Sequence, residues 1–396
     1  MAGRTGLAAA LRHRDFRLLM GAYTAASIGG WAYNVGLAVW IFDQTGSAAW
    51  IGAATICRFV PALIFSPYGG VLADRFERVR LMVSLDLAAA LLMTVLVVVT
   101  ALDLPVLLAI LITAVTSTLG TIYEPAVAAL TPQLVGERDL GAANTLRNTI
   151  DNLCVIAGPG LGAVLLLLGP PPLAIAANAV MFLASATLVS RMHARSKPVD
   201  VTEGGSLGVA QQMLVGIKAI SASASTALLV AFSVAATVVY GFDTVQFVVL
   251  SRDVLGTGAE GYGYLLAGLG AGGLLAAPLI VRLERMPWLG WIILIGMAAY
   301  CLPTLLFLAV SDPVTAFVIE AVRGAGTLVV DVLAVTALQR ALPREQLARV
   351  FGAFDSLILV AIVVGATLAP AVIDGWGLTA SLWIAGLVVP VLSLLA

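Results

Sequence analysis

Long apolar runs recur along the whole chain, separated by charged residues, glycine or proline. A helix of about 20 apolar residues crosses the hydrocarbon core of a bilayer. Twelve runs of that kind lie at 16–42, 47–72, 79–102, 104–133, 141–168, 172–192, 224–250, 258–282, 287–309, 314–342, 346–372 and 377–396. The chain is 61% hydrophobic and 11% charged, which excludes a soluble globular protein because such a surface needs about a quarter charged residues. We predict an all-α membrane protein with twelve transmembrane helices.

The basic residues predict the orientation of these helices. Of the 21 lysines and arginines, seventeen fall in the terminus and loops of one face, whereas the loops of the other face hold Arg252 alone. Cytoplasmic loops carry such an excess of positive charge. We therefore expect a multi-pass protein of the cell membrane (inner or plasma) with a cytoplasmic N-terminus. The lipid bilayer is then its surroundings, and the net charge of −1 gives no reason to expect a nucleic acid partner.

A polar segment at 193–223 separates six runs from six others. We predict an N-terminal six-helix bundle at 1–192, a cytoplasmic linker at 193–223 and a C-terminal six-helix bundle at 224–396. At one offset of 207 residues, Glu124 falls on Asp331 and Gly158 on Gly365. Parallel repeats of six helices are a recurrent plan among transporters.

The loop after the second run carries an unusual concentration of charge. Residues 68–80 read YGGVLADRFERVR, with Gly70, Asp74, Arg75 and Arg78. These residues resemble the loop motif of the major facilitator superfamily, G-x-x-x-D-R-x-G-R followed by a base. Glu77 stands where that motif has its second glycine. Because a glycine supplies backbone freedom that glutamate lacks, we expect this loop to be more helical.

Other segments are similar to the drug-exporter branch of that superfamily. Gly158, Pro159 and Gly162 resemble the antiporter motif of the fifth helix, and Tyr123-Glu124-Pro125-Ala126 is similar to macrolide and enterobactin exporters. The resemblance implies the major facilitator fold and proton-driven export by alternating access. It also implies a small, partly apolar substrate, either drug-like or siderophore-like. Proline removes a helical hydrogen bond and bends the fifth helix, and the two glycines permit close packing.

The first run departs from this branch at its usual acidic position. Ser27-Ile28-Gly29-Gly30 has glycine where the exporters carry an acid, and Asn34 follows one turn later. A proton cannot be coupled through a carboxylate at that point. Asn34 is retained as a candidate for substrate contact.

Charged residues inside the apolar runs are candidates for substrate binding or coupling, because each costs about 2.5–3.5 kcal/mol at mid-bilayer. Glu320 and Arg323 are three residues apart and share a helical face, so they can pair. Asp243 has no charged counterpart in the other half, and Arg58 needs a partner from another helix or an anionic ligand. A permanently paired, purely structural cluster is the alternative for Glu320 and Arg323.

Glu124 and Asp331 occupy equivalent positions in the two halves, near the loops with Arg78 and Arg285. We interpret them as gating latches that join a carboxylate to a loop arginine and must open with that face. Gly70, Asp74 and Arg75 of the first loop are predicted to belong to the same gate. The alternative for Glu124 and Asp331 is a proton site. Arg147 and Asp151 are four residues apart, and we expect them to pair with each other.

Several functional classes are excluded or left open. The chain has no G-x-x-x-x-G-K phosphate loop and no histidine or cysteine spacing for a metal, so an ATP-driven pump, a metal site and an enzyme are not expected. No cofactor is expected beyond the proton gradient, and a monomer is the expected state. A solute importer or symporter remains the first alternative. A sensor or anchor of a longer protein is the second, since the last apolar run reaches Ala396 and a further C-terminal domain is then expected.

Overall fold

A computed structural model describes residues 9–194, 209–283, 286–342 and 344–395; within these ranges some side chains, those of 66–74 among them, are left undescribed. The described residues are helical, which confirms the all-α prediction. The helices are α1 (Arg14–Thr45), α2 (Ala48–Arg75), α3 (Arg78–Ala101), α4 (Val106–Leu168), α5 (Pro172–Ser190), α6 (Val209–Ser221), α7 (Ala224–Val249), α8 (Gly258–Leu283), α9 (Leu289–Cys301), α10 (Pro313–Ala341) and α11 (Arg344–Leu395). A π-helical turn, Leu250–Val254, extends α7, and a 3-10 helix, Leu302–Leu308, extends α9.

Two of these helices are too long for a single membrane crossing. Helix α4 has 63 residues and α11 has 52, whereas about 20 suffice for a bilayer. Each is interrupted by a glycine with a left-handed backbone: Gly136 has φ 69° and ψ 171°, and Gly377 has φ 84° and ψ 166°. Only glycine adopts such a conformation without steric cost. Each long helix therefore consists of two helical segments that meet at a glycine.

Within the described part of the chain, eight helices are long and apolar enough to cross a membrane: Arg14–Thr45, Arg78–Ala101, Val106–Leu168, Pro172–Ser190, Ala224–Val254, Gly261–Ile280, Leu289–Leu308 and Val350–Leu392. A shorter apolar helix, Ala48–Pro61, joins them. The predicted count of twelve is not confirmed. One reason is that α4 and α11 each count once although each contains two helical segments.

The chain forms two compact units. The first comprises Met1–Trp40 and Val60–Gly204, and the second comprises Ile41–Phe59 and Gly205–Ala396. The end of α1 and the beginning of α2 therefore belong to the unit that contains the second half of the chain. The predicted division into sequential bundles with a linker at 193–223 stays a prediction.

Glycines allow the backbones of the first unit to approach closely. A Cβ at Gly158 would collide with the Cβ of Trp31 on α1, and one at Gly162 would lie 2.7 Å from the carbonyl oxygen of Ala32. These contacts hold the segment 137–168 against α1, as the small-residue spacing predicts. Pro159 lies inside the same helical segment.

The second unit repeats this device with other helices. A Cβ at Gly365 on α11 would collide with the Val238 carbonyl group of α7 and would lie 2.9 Å from the Cα of Gly241. Gly272 of α8 lies against the backbone of Ala321 on α10. The amphipathic helix α6 completes one end of this unit, where Ile220 packs with residues of α7, α10 and α11. Close glycine contacts thus set the spacing of the helices that carry the charged residues.

Candidate substrate and proton-coupling site

Three predicted residues meet in one buried cluster of the second unit. The guanidinium of Arg323 donates from Nη2 to both carboxylate oxygens of Asp243, at 2.7 and 2.8 Å. Its Nη1 donates to Glu320 Oε1 at 2.7 Å. Arg323 and Glu320 are 0% exposed and Asp243 is 3% exposed. The predicted pairing of Glu320 with Arg323 is present, and Asp243 joins it from α7.

Tyr300 on α9 completes this cluster and was not predicted. Its hydroxyl donates to Asp243 Oδ2 at 2.8 Å, and its backbone carbonyl accepts from Arg323 Nε at 3.0 Å. The rings of Tyr300 and Phe247 lie 5.1 and 5.4 Å from the centre of the guanidinium, within range of a cation–π contact. Arg323 and Asp243 are therefore held by several contacts each and form the fixed part of the cluster.

Close helix packing places these side chains. A Cβ at Gly268 of α8 would lie 3.0 Å from the Cβ of Glu320, and one at Gly326 of α10 would lie 2.5 Å from the amide nitrogen of Tyr300. These glycines allow α8 and α9 to pack closely against α10 near Glu320 and Arg323. The G-x-G-x-x-G run at 268–273, which resembles a nucleotide fingerprint, thus serves helix packing.

The cluster holds one more carboxylate than it has cations. If all groups were ionised, two carboxylates would face one guanidinium in a site without solvent contact. Glu320 Oε2 is buried and has no hydrogen-bond partner among the described residues, whereas Asp243 accepts three hydrogen bonds. An unpartnered buried charge is costly. A proton on Glu320 would remove that excess charge.

A second cluster of similar composition lies in the first unit. Arg147 forms an ion pair with Glu124, and its guanidinium lies 5.2 Å from the ring centre of Tyr23. The Tyr23 hydroxyl lies beside the carboxylates of Glu124 and Asp151. The predicted pairing of Arg147 with Asp151 is wrong, because Arg147 turns to the acid of a neighbouring segment. This ion pair is partly exposed to solvent: 48% of the Glu124 side chain and 25% of the Arg147 side chain are exposed.

Two further substrate candidates have identified local contacts. Asn34 donates from Nδ2 to the carbonyl oxygen of Gly30, one turn earlier on α1, at 2.8 Å. Its amide group therefore has a local partner, and its contact with a substrate stays a prediction. The guanidinium of Arg58 lies 5.4 Å from the ring centre of its neighbour Phe59, within the second unit.

The predicted gating residues are described only in part. Arg78 is buried and Arg75 is exposed. Asp331 is exposed on α10. The surroundings of Gly70, the side chain of Asp74 and all of Arg285 lie outside the described residues. The guanidinium that meets Glu124 belongs to Arg147, so the latch between Glu124 and a loop arginine stays a prediction.

Glu77 has a clear local role in the charged loop. Its carboxylate accepts from the backbone nitrogens of Val79 at 3.1 Å and Arg80 at 2.9 Å, so Glu77 caps the N-terminus of α3. Its φ of −64° is accessible to any residue. The position does not need the backbone freedom of glycine, and a carboxylate there satisfies helix donors that would otherwise lack partners. The loop between α2 and α3 is only two residues long.

Two polar contacts were not predicted from the sequence. In the second unit, Arg252 forms an ion pair with Asp43, and its guanidinium lies 5.1 Å from the ring centre of Phe42. In the first unit, buried Asp86 accepts a hydrogen bond from the Ser185 hydroxyl at 2.7 Å. Both contacts join residues far apart in the chain, and no local spacing could indicate them.

Comparisons with known proteins place this arrangement in a family. A family model described as transmembrane secretion effector matches residues 5–396. The chain is 29% identical over 238 residues to a putative bacilysin exporter of Bacillus amyloliquefaciens, covering 59% of this chain and 58% of that protein. It is 31% identical over 127 residues to macrolide efflux protein A of Streptococcus pyogenes, covering 32% and 31%. The matches thus span less than two thirds of these relatives.

A solved structure supports the fold. A point mutant of the nucleoside transporter NupG aligns with a TM-score of 0.76 and 12% identity, over 96% of this chain and 98% of that one. The likeness at this identity concerns the fold alone. The family and these relatives are transporters, in agreement with the expectation that the chain is not an enzyme. With the family model matching almost its full length, the chain is a multi-pass membrane protein that belongs to the transmembrane secretion effector family of the major facilitator superfamily.

Proposed function

We propose that the protein exports a small, partly apolar compound by proton antiport, through alternating access and without a cofactor. Export is supported by the relatives, which include a putative bacilysin exporter and a macrolide efflux protein. Proton coupling is supported by one observation above all. The buried cluster of Asp243, Glu320 and Arg323 holds two carboxylates for a single guanidinium.

The proposal includes twelve transmembrane helices in two bundles of six. Helices α4 and α11 then cross the membrane twice each, with the breaks at Gly136 and Gly377 between crossings. Helix α6 lies outside the count as part of the linker at the cytoplasmic surface. The positive charge of the loops supports a cytoplasmic position for this surface and for the N-terminus, and the cell membrane is the proposed location.

We assign the transported proton to Glu320. Asp243 is held by Arg323 and Tyr300, so its carboxylate remains ionised and paired. Glu320 shares only Nη1 of the same guanidinium, and its Oε2 lacks a hydrogen-bond partner among the described residues. The proton therefore binds at Oε2 of Glu320 and leaves the Asp243–Arg323 pair intact. Glu320, and not Asp243, is thus the proposed proton carrier.

The charge of the cluster then couples proton movement to the conformational cycle. With Glu320 protonated, the buried cluster is neutral and can be sealed from water at low cost. With Glu320 ionised, the cluster carries one negative charge, which is costly to bury without a partner. The ionised state requires contact with water, so the proton is exchanged only when the site is open to one side. A ligand or proton shifts such an equilibrium through its different affinity for the two states.

Purified protein in liposomes tests this assignment. We expect a proton gradient to drive the accumulation of a macrolide or another drug in liposomes that hold the unaltered protein with its cytoplasmic face outward. We expect Glu320→Gln to lose gradient-driven accumulation while exchange of labelled for unlabelled substrate continues, because the neutral amide mimics the protonated acid. Asp355→Asn, which removes an exposed acid of α11, is the control and should keep both activities.

Three outcomes would contradict the proposal in different ways. Full coupling in Glu320→Gln would move the proton site elsewhere. Uptake into intact cells driven by the proton gradient would indicate an importer or symporter. Absence of both accumulation and exchange for every compound tested would favour a sensor or anchor that retains the transporter fold.

A further inference from the structure

The open cluster of the first unit differs from a sealed coupling site in its access to solvent. It lies on the two segments of α4, with Glu124 before the break at Gly136 and Arg147 after it. Almost half of the Glu124 side chain and a quarter of Arg147 are exposed. Charged groups within a membrane span face water or protein, since contact with lipid is costly. The exposed pair is therefore open to water, and a dissolved ligand can reach it.

The charge of this cluster favours a cation as its ligand. Glu124 and Asp151 are two potential anions beside one guanidinium, so the ionised cluster carries one surplus negative charge. The Tyr23 hydroxyl lies beside both carboxylates, so the two acids lie next to the same hydroxyl group. A single positive charge that reaches the cluster from solvent would balance it. A third anion would instead add to the surplus negative charge.

Arg147 also has a second partner available on its own helix. Asp151 follows it by four residues, a spacing at which side chains on a helix meet. In the structure the guanidinium pairs with Glu124 instead. A ligand cation that takes the exposed Glu124 carboxylate would leave Arg147 free to turn to Asp151. Each acid then has one cation, and no charge of the cluster is left without a partner.

We propose that Glu124, Arg147 and Asp151 bind the protonated amine of the substrate by this exchange of ion pairs. The inference rests on the proposed export function and specifies its substrate class: a partly apolar compound with one basic nitrogen that is cationic at neutral pH. The ammonium binds the Glu124 carboxylate, and Arg147 moves to Asp151. Glu124 is then a substrate-binding residue and not a latch.

A matched pair of probes tests the inference without a proton gradient. Dansylcadaverine carries a primary ammonium at pH 7, and its N-acetyl derivative has the same fluorophore without the charge. We expect the purified protein to bind the amine more tightly than the acetylated probe. We expect Glu124→Gln to weaken amine binding by about 10- to 100-fold, the effect of losing a charge-assisted hydrogen bond, and to leave the acetylated probe unchanged.

Two further variants separate ligand binding from structural effects. Asp331→Asn removes the exposed acid at the equivalent position of the second half and should retain the amine preference. Asp151→Asn removes the second partner of Arg147, so we expect weaker amine binding by about 3- to 10-fold. This variant decides the matter if Glu124→Gln does not purify as a monodisperse protein.

Equal binding of both probes to the unaltered protein would overturn the proposal. An amine preference that survives in Glu124→Gln would also overturn it, and an unchanged amine affinity in Asp151→Asn would overturn the exchange of partners. These equilibrium measurements are independent of proton coupling. The proposed function fails instead if Glu320→Gln keeps gradient-driven accumulation.

Discussion

Each unit has a cluster in which an arginine lies beside two carboxylates and a tyrosine. The cluster of the second unit is buried, whereas that of the first is partly exposed to solvent. Arg323 and Glu320 have no exposed surface, whereas the Glu124 side chain is 48% exposed. At the offset of 207 residues, Arg323 falls on Thr116 and Arg147 on Phe354. The two clusters therefore occupy different positions in the repeat and are not copies of each other.

The glycine contacts of the two halves, unlike the charged clusters, occupy equivalent positions. Gly158 of the first half lies against α1 at Trp31, and its equivalent Gly365 lies against α7 at Val238. Trp31 and Val238 are themselves 207 residues apart. The two halves thus share the glycine contacts that set helix spacing and differ in their charged residues. The glycine contacts are thus symmetric, whereas the charged residues that we propose for proton coupling and for substrate binding lie in different halves.

The largest expected effect is a difference in stability between variants of the two arginines. Arg323→Met leaves two buried carboxylates without their cation, so we expect about 3–5 kcal/mol of destabilisation. Arg147→Met breaks a partly exposed pair, for which about 1 kcal/mol or less is expected. Thermal unfolding of the purified proteins in detergent measures both. Equal losses would show that the two clusters do not differ as described.

A smaller effect tests the symmetry of the packing. Gly158→Val and Gly365→Val each place a side chain where another helix already lies, and we expect about 1–3 kcal/mol of destabilisation for each. Gly120→Val is the matched control on α4, because no atom lies within 4 Å of a Cβ there. Unfolding midpoints of the three variants should show two similar losses and one small change. A loss in only one half would break the symmetry.

The smallest effect concerns the entry to α10. Asp312 caps this helix and accepts from the Thr315 amide at 2.8 Å, whereas its equivalent Pro105 at the start of α4 offers no side-chain cap. The hydrogen bonds from Thr315 lower the pKa of Asp312 below its ordinary 3.8. The cap is therefore present above that value and is lost as the pH falls through the lower, folded-state pKa.

Hydrogen exchange at the Thr315 amide checks this last prediction. Exchange relative to the intrinsic rate should increase as the pH falls below 3.8, and Asp312→Ala should show the increase already at neutral pH. The amide of Leu108 near the start of α4 is the internal control. An acid-dependent loss of protection at both helix starts would indicate general fraying and contradict a role for the Asp312 cap.

Much of the fold could be predicted because helical periodicity and span length are local properties of the chain. The pairing of Glu320 with Arg323 was predictable for the same reason, since three residues on a helix place side chains on one face. Asp243 and Tyr300 come from other helices, so their arrival at Arg323 depends on how the helices pack. Residue spacing carries no record of that packing.

Arg147 shows where local reasoning fails. Spacing along one helix favoured Asp151, but a residue on another segment supplied the nearer acid, Glu124. The role of Glu77 was also hidden, because comparison with a glycine motif emphasised lost backbone freedom and not a gained cap. The break at Gly136 lies within the predicted loop 134–140, and the break at Gly377 directly follows the predicted loop 373–376. The pairing of Asp43 with Arg252, in contrast, had no local signal.

The membership of Ile41–Phe59 in the second unit has a consequence for the order in which this protein is made. Gly52 on α2 packs against the backbone of Ala366 on α11, so the second unit uses residues from both ends of the chain. Domains synthesised first usually fold first. Here the second unit can complete its contacts only after α11 has been made. A fragment that starts at residue 224 would lack part of its own core, and Ile41–Phe59 must wait for α11 during synthesis.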